Sequence, residues 1–176
     1  MARLAAITAI TAVAGLALAA DAFAAGSWRL SPYGLGPLEV GMTADRAARA
    51  VGIRGRAHPG VGGDETCWEL QAGPRYPGVW MMIQRGLVVR VSLGKGSRLR
   101  TERGLGVGDN ERSVRAAYGG ALRSEPHAYA APPARYLTWS SPDRRYAIRF
   151  STNEGGRITE IDAGRPRAVA APEGCQ

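Results

Sequence analysis

Two histidines and a few acids and serines are the residues of this sequence that could carry catalysis or hold a metal. His58 and His127 have no fixed spacing to a carboxylate, which is typical of loop histidines rather than of a metal site. No Gly-x-Ser-x-Gly nucleophile elbow occurs, and the sequence neighbours Asp64 and Glu65 point apart rather than forming a glycosidase pair. We therefore expect no catalytic residue, no metal and no cofactor. A small hydrolase that uses His58 or His127 beside a nucleophile is the weaker alternative.

The two cysteines, Cys67 and Cys175, allow one intramolecular disulfide. The alternative, a reactive thiol at Cys67, would need an activating base, and the neighbours Trp68 and Glu69 supply none. The bridge would join the C-terminal tail to the middle of the chain. In the loop-entropy model it stabilises the fold by up to ~4–5 kcal/mol, so we expect a structural disulfide.

Residues 1–24 have the pattern of an export signal peptide. Arg3 precedes an uncharged apolar run, and residues 22–24 (Ala-Phe-Ala) match the small-x-small site of signal peptidase. We expect cleavage after Ala24, with a cut after Ala19 or a retained anchor as alternatives. A periplasmic or secreted protein can form disulfides. Export also removes the protein from nucleic acid, and after cleavage we expect no transmembrane segment.

The chain has 176 residues and a net charge of +8, and 45% of its residues are hydrophobic, which excludes intrinsic disorder. Its densest basic run contains Lys95, Arg98, Arg100 and Arg103. One interpretation is an anionic partner, such as a lipopolysaccharide or a cell-wall polymer. The other is a compositional preference for arginine in solvated loops. Both interpretations stay open at this point.

An internal repeat organises the chain, because residues 38–52 align without gaps on residues 105–119. Thr43 and Asn110 share one column of the alignment, and both are residue types that cap a helix N-terminus. Gly52 and Gly119 share another column and are typical of helix ends. We therefore predict one short helix in each copy.

Strands are predicted after each helix. Alternation over residues 79–83 and 87–93 predicts a hairpin, with Leu87 and Val91 on one face and Val88 and Arg90 on the other. The fold class that we expect is α+β. Two tandem helix-plus-three-strand units, residues 25–94 and 104–176 with its tail, would be joined by a basic linker, residues 95–103. Together they would form one antiparallel sheet with the helices on one face.

Two short motifs carry a resemblance to known proteins: residues 40–43 (Val-Gly-Met-Thr) with Gly52, and residues 107–110 (Val-Gly-Asp-Asn) with Gly119. They resemble the repeat of the secreted β-lactamase inhibitor protein family and the single unit of the SmpA/OmlA outer-membrane-assembly lipoproteins. Residues 34–43 and 173–175 also resemble the two ends of other exported bacterial proteins. The resemblance implies the tandem α+β fold. It implies no role for individual residues beyond the glycine, methionine and cap positions.

One strand suggests a binding surface. Trp80 and Met82 alternate away from Val79, Met81 and Ile83, so helices that cover the latter face would leave Trp80 and Met82 uncovered. Arg90 on the next predicted strand would share the open face. Aromatic, methionine and arginine side chains are favoured in the centre of protein interfaces. In the alternative, Trp80 packs into a second small core under the loop of residues 53–66 or under the tail.

We therefore predict an exported, non-enzymatic protein that binds another periplasmic or extracellular protein through Trp80, Met82 and Arg90. The alternative is a cell-envelope protein that binds an anionic glycan or lipid. Its ligand would contact Lys95, Arg98, Arg100 and Arg103. Nucleic acid is not expected as a partner.

The first prediction concerns the exported form. Intact-mass spectrometry of the purified protein should give the mass of residues 25–176 less two hydrogen atoms, because the leader is removed and Cys67 and Cys175 are oxidised to one bridge. Alkylation before and after reduction supplies the control, since only the reduced sample should take up label. Two alkylated thiols in the unreduced sample would refute the disulfide.

Overall fold

The computed structural model describes residues 28–55, 57 and 66–175. The predicted signal peptide of residues 1–24, His58, Asp64 and Glu65 lie outside the described residues. The described part of the chain contains no helix long and apolar enough to cross a membrane.

The protein is a mixed α+β structure of short helices and many strands. Its helices are α1 (Ala44–Ala50), α2 (Glu111–Tyr118) and α3 (Pro166–Ala170), with a 3₁₀ turn at Gly119–Ala121. Its strands are β1 (Arg29–Ser31), β2 (Gly34–Leu35), β3 (Leu38–Glu39), β4 (Cys67–Gln71), β5 (Val79–Gln84), β6 (Leu87–Leu93), β7 (Arg100–Thr101), β8 (Arg123–Pro126), β9 (Arg135–Ser140), β10 (Ala147–Thr152) and β11 (Ile158–Gly164).

The strands form two sheets. Seven antiparallel strands make the large sheet, in the order β4-β5-β6-β11-β10-β9-β8. The small sheet has the order β3-β2-β1-β7, with β1 parallel to β7. The prediction of a single sheet is therefore incomplete. Residues 95–103, predicted as a linker, supply β7 of the small sheet, and Thr101 in this strand is buried. The chain after α2 also has four strands, with β8 in addition to the predicted three.

The caps and turns form as their residue types predict. Thr43 Oγ1 accepts a hydrogen bond from the Arg46 amide at 3.4 Å, and Asn110 Oδ1 accepts one from the Ser113 amide at 2.9 Å. Both helices then end at a glycine with positive φ, Gly52 and Gly119. These caps fix where each helix starts on the sheet.

Each of the first two helices is tied to the tip of a hairpin by the same backbone contacts. The Ala44 amide donates to the Gly86 carbonyl at 2.9 Å, and the Glu111 amide donates to the Gly156 carbonyl at 2.9 Å. Just before each helix, the Gly41 amide donates to Val88 at 2.7 Å and the Gly108 amide to Ile158 at 2.8 Å. Helix, turn and strand are therefore connected alike in both places.

The main core lies on one face of the large sheet, under α1 and α2. It is formed by buried apolar side chains that alternate along β5, β6, β10 and β11. Among them are Val79, Met81, Ile83, Val88, Val91, Leu93, Ile148, Phe150, Ile158 and Ile161. From the helices, Ala47, Val51 and Val114 pack onto this face. Burying this surface is the main source of stability.

The third helix lies on the opposite face. Arg90 projects away from Val91 and donates to the carbonyl of Ala168 in α3 at 2.9 Å. The expectation that the helices lie on one face is therefore wrong. The sequence signal for α3 is weak, because it has only five residues and no side-chain cap. Every residue of β10 is buried, as a strand covered on both faces requires.

The predicted alternation of side chains along β6 is wrong at one point, because the strand contains a β-bulge. Ile83 pairs with Val88 but Met82 pairs with Arg90, so Val89 is an extra residue between them. As a result Val88 enters the core, while Leu87, predicted on the core face, is 42% exposed. Alternation counts residues two at a time and cannot detect this insertion.

The second prediction tests the backbone packing beside this bulge. Gly164 has a φ of +150°, and a Cβ there would lie 2.2 Å from the Val89 carbonyl oxygen. Gly164→Ala should therefore lower the free energy of unfolding by about 2–4 kcal/mol in urea denaturation. Gly120→Ala is the matched control, because its Cβ would meet nothing within 4 Å. It should change stability by about 0.5 kcal/mol or less. Equal effects of the two substitutions would contradict the packing.

Candidate functional site

A row of mostly polar residues crosses the second face of the large sheet from one edge to the other. Each member pairs directly with the next across neighbouring strands, so all their side chains project to the same face. In order from β4 to β8, this polar row is Gln71, Trp80, Ser92, Asp162, Arg149, Thr138 and Arg123.

The centre of the polar row is a buried carboxylate, Asp162, with no exposed surface. It accepts a hydrogen bond from Ser92 Oγ at 2.6 Å on Oδ1 and one from Arg149 Nη2 at 3.0 Å on Oδ2. Arg90 Nε lies 3.4 Å from Oδ1. A buried carboxylate is tolerated only when it is paired in this way, so the two arginines and Asp162 depend on one another.

Arg90 connects Asp162 to α3 and the C-terminal tail, residues 166–175, which cover this face of the sheet. Its Nη1 donates to the carbonyls of Ala168 and Ala171, both at 2.9 Å, and its Nη2 donates to Glu69 Oε1 at 3.3 Å. The guanidinium thus binds carbonyls at the end of α3, where a cation is favoured. It holds α3 and the tail over the sheet.

A disulfide fastens the far end of this cover. Cys67 in β4 is bonded to Cys175, with their Cα atoms 5.4 Å apart and a sequence separation of 108. The predicted disulfide is therefore confirmed. Together, Arg90 and the bridge fix residues 166–175 across the second face.

The cover changes the predicted binding surface. Met82 and Arg90 are each only 3% exposed, so the face that the sequence suggested would be open is covered where they lie. Trp80 is half-buried, and its ring lies so close to Gly94 that a Cβ there would meet Cη2 at 2.5 Å. Of the three predicted residues, Trp80 is the most exposed, and it lines an open part of the surface together with Arg90.

That open part is a groove of about 660 Å³ beside the tail, which we call the Trp80 groove. Three carboxyl groups line it, those of Glu69, Glu160 and Glu173, together with the cations Lys95 and Arg90. Glu69 is paired with Arg90 at 3.3 Å, and the Glu173 carboxylate accepts a hydrogen bond from the Tyr129 hydroxyl. The groove therefore combines an aromatic wall with carboxyl groups, of which Glu173 has no ion pair among the described residues.

Glu160 has an unusual protonation state. Burial, the negative charge of nearby Asp162 and a hydrogen bond with it together raise the pKa of Glu160 to about 8, against the opposing effect of Arg90 and Arg149. At neutral pH the carboxyl group of Glu160 is therefore mostly protonated. Its proton lies in the Trp80 groove, close to the Asp162 carboxylate.

Two arginines of the predicted basic cluster make contacts within the fold. Arg100 Nη1 lies 2.9 Å from Asp109 Oδ2, and Arg103 binds the Ala117 carbonyl with its guanidinium 4.3 Å from the Tyr118 ring centre. These contacts attach the segment to the region around α2. Lys95 and Arg98 are exposed. Two of the four residues are therefore engaged within the fold, although Arg100 and Arg103 also remain exposed.

His127 has a structural position rather than a catalytic one. Its ring stacks on Tyr136 at 4.5 Å, and its Nδ1 accepts hydrogen bonds from the amides of Tyr129 at 3.1 Å and Ala130 at 3.2 Å. Burial lowers its pKa, and the charge of Arg149 lowers it further. The neutral imidazole thus closes the loop that follows β8.

Sequence reasoning missed the centre of the polar row. Arg149 lies between the core residues Ile148 and Phe150, and Asp162 lies between the core residues Ile161 and Ala163. A charged residue inside such a strand was the available signal, but alternation also fits a solvated face. The pairing of the two charges became visible only in the fold.

Among the residues that the structure describes, no group of three or more His, Cys, Asp or Glu side chains could hold a metal ion. Comparison of the chain with protein-family models, curated proteins and solved structures gave no significant match in any of the three. The polar row and the grooves beside α3 and the tail are therefore the candidate functional sites.

The third prediction concerns Glu160 and pH. Folded Glu160 keeps a proton that the unfolded chain releases above its ordinary pKa of 4.5, so stability should fall as the pH rises from about 4.5 to about 8. Glu160→Gln retains the hydrogen-bond donor and removes this loss. Because the side chain is only partly buried, we expect the variant to be more stable by about 1–2 kcal/mol at about pH 8.5.

Urea denaturation across this pH range measures the effect, and the two proteins should have similar stability at about pH 5. Glu154→Gln in the exposed turn before β11 is the matched control and should show no pH-dependent difference from the parent. Parallel stability curves for the parent and Glu160→Gln would contradict the raised pKa.

Proposed function

We propose that the protein is an exported, non-enzymatic binding protein that recognises another periplasmic or extracellular protein through the Trp80 groove. One observation carries this proposal: a half-buried tryptophan forms the wall of an open groove that is lined by the carboxyl groups of Glu69, Glu160 and Glu173. Tryptophan is among the residues that contribute most to protein–protein binding.

The chemistry of the groove selects the part of the partner that enters it. An aromatic face attracts a cation, and the Glu173 carboxylate, which makes no ion pair among the described residues, can pair with one, so a lysine or arginine side chain of the partner fits best. The volume of about 660 Å³ admits such a side chain with part of its backbone. The cation would also favour loss of the Glu160 proton, which adds a further negative charge to the groove.

We also propose that the large sheet was built from two tandem helix-plus-three-strand units, residues 25–94 and 104–176. The matching hydrogen bonds from Ala44 to Gly86 and from Glu111 to Gly156 support this, because they join equivalent positions of the 38–52 and 105–119 alignment to equivalent turns. In this view β7, β8 and α3 are additions to the two units. The two units alone would leave the second face of the sheet open. With α3 and the tail added, only grooves remain open on that face.

Export is supported by two features. The leader pattern of residues 1–24 directs a chain out of the cytoplasm. The Cys67–Cys175 bridge is stable in an oxidising compartment and rare in a reducing one. We therefore propose the periplasm or the exterior as the place of action.

The alternative functions have weaker support. An anionic glycan or lipid would need the basic run, but Arg100 and Arg103 are engaged with Asp109, Ala117 and Tyr118. A small hydrolase would need a free imidazole, and His127 uses its Nδ1 within its own loop. Neither alternative is favoured by a specific contact in the described residues.

The fourth prediction locates the partner by photo-crosslinking. A p-benzoylphenylalanine residue in place of Lys95, at the rim of the Trp80 groove, should capture the partner from periplasmic or culture-fluid extract. The same residue in place of Arg112, which is exposed on α2, is the matched control and should not. A Gly-Arg-Gly peptide should compete with capture at Lys95, because its cation enters the groove, whereas Gly-Glu-Gly should not.

Adding Trp80→Leu to the Lys95 probe should reduce crosslinking by about tenfold or more, the effect expected for a residue worth about 2 kcal/mol. The melting temperature shows whether that variant is folded. If it is not, the position of the crosslink and the peptide competition still decide. Equal capture at both positions, or no effect of Gly-Arg-Gly, would refute the proposal.

A further inference from the structure

We infer that the opposite end of the polar row is a second binding site, which takes a small organic carboxylate and holds it through Arg149. This site is separate from the Trp80 groove and does not depend on its function. It lies on the other side of α3, where β8, β9 and β10 pass beneath the helix.

The site is a groove of about 400 Å³, which we call the Arg149 groove. Its floor is polar and follows the polar row: Arg149 pairs with Thr138, and Thr138 pairs with Arg123, so the three side chains project into one line. Its walls are mainly apolar. They come from Pro126, Tyr136, Ala147, Pro166, Val169 and Ala170. Glu125 also lines the groove, and its carboxylate is paired with Arg123 at 2.7 Å, which leaves Arg149 as the cation available to a ligand.

Arg149 is buried but has few partners. Only 4% of the residue is exposed, and within the described part of the chain its guanidinium makes one hydrogen bond, from Nη2 to Asp162. Its Nε is buried without a hydrogen-bond partner. The Tyr136 ring, 4.7 Å from Cζ, contacts the guanidinium but accepts no such bond. An arginine has five N–H donors, and leaving them unused out of water is costly.

Arg90 gives the internal comparison, because it lies in the same buried cluster. The Nε of Arg90 is likewise buried without a hydrogen-bond partner, so the two arginines differ in their terminal nitrogens. Arg90 donates with both of them, to Ala168, Ala171 and Glu69, whereas Arg149 donates with Nη2 alone among the described residues. Arg149 has the same burial without these acceptors, and it lines a groove that Arg90 does not reach. The difference indicates that the missing acceptor of Arg149 comes from outside the described fold.

The geometry favours a carboxylate as that acceptor. A guanidinium binds the two oxygens of a planar carboxylate side by side. The hydroxyls of Thr138 and Ser140 line the same groove and supply further donors. The apolar walls penalise a doubly charged phosphate more than a singly charged carboxylate and favour an acid with a short hydrocarbon body.

The fifth prediction tests this site by NMR of the oxidised protein. The Arg149 Nε–Hε signal is identified by its loss in Arg149→Lys, and the protein is titrated separately with acetate, hexanoate and inorganic phosphate. Acetate and hexanoate should shift the signal to saturation. Hexanoate should bind about tenfold more tightly than acetate, because its methylene groups enter the apolar part of the groove. Phosphate should bind more weakly than hexanoate.

Substitutions of groove residues test ligand binding separately from folding. Thr138→Val with Ser140→Ala removes two rim hydroxyls and should weaken hexanoate binding by about fivefold, while Thr159→Val in the Trp80 groove is the matched control and should not. If Arg149→Lys does not fold, the Nε–Hε signal is assigned through the backbone resonances of Arg149. The variant with Thr138→Val and Ser140→Ala then still tests the site. An unshifted Nε–Hε signal, tighter binding of phosphate than of hexanoate, or an equal effect of Thr159→Val would overturn the inference.

Discussion

The pairing of Arg90 with Asp162 is the interaction on which the rest of the second face depends. Asp162 lies in β11 with no exposure, so it needs a cation, and Arg90 lies 3.4 Å from it. The same guanidinium binds the carbonyls of Ala168 and Ala171. The arginine that balances the charge of Asp162 therefore also holds α3 and the tail on the sheet. With the tail in that position, the Cys67–Cys175 bridge can close and the open surface is divided into grooves. One buried charge therefore determines where α3 and the tail lie on the second face, and with them the positions of the grooves.

Much of the first face could be predicted from the sequence, because its signals are local. Thr43, Asn110 and the glycines after each helix act within one or two turns of their own position, and the two cysteines allow only one bridge. The second face could not be predicted in the same way. An arginine in a strand has the same pattern whether it faces water or a carboxylate, and Ser92 lies 70 residues from the Asp162 that it binds. The bulge at Val89 and the five-residue helix α3 likewise depend on tertiary contacts rather than on local pattern.

The preference for arginine over lysine has a physical basis in these contacts. Arg103 and Arg149 lie over tyrosine rings, and Arg165 does so over Tyr146 at 4.8 Å. Arg90 binds two carbonyls and a carboxylate at once. A planar, multivalent guanidinium can do this and a lysine ammonium cannot. Part of the net charge of +8 is thus a consequence of how the fold is held together, and the two ends of the polar row differ in chemistry despite that overall charge.

The central pairing of β6 with β11 also governs how the chain reaches this structure. Leu93 is paired with Ile161 and Arg90 with Gly164, which lie 68 and 74 residues apart in sequence, whereas β5–β6 and β10–β11 are hairpins between near neighbours. We expect the hairpins to form quickly and the central pair to form slowly, because closing a long loop precedes its contacts. Until then β6 and β11 are unpaired edges rich in valine and isoleucine, the kind of segment that aggregates. The slow step of folding is therefore also the step at which the chain most needs protection by a chaperone.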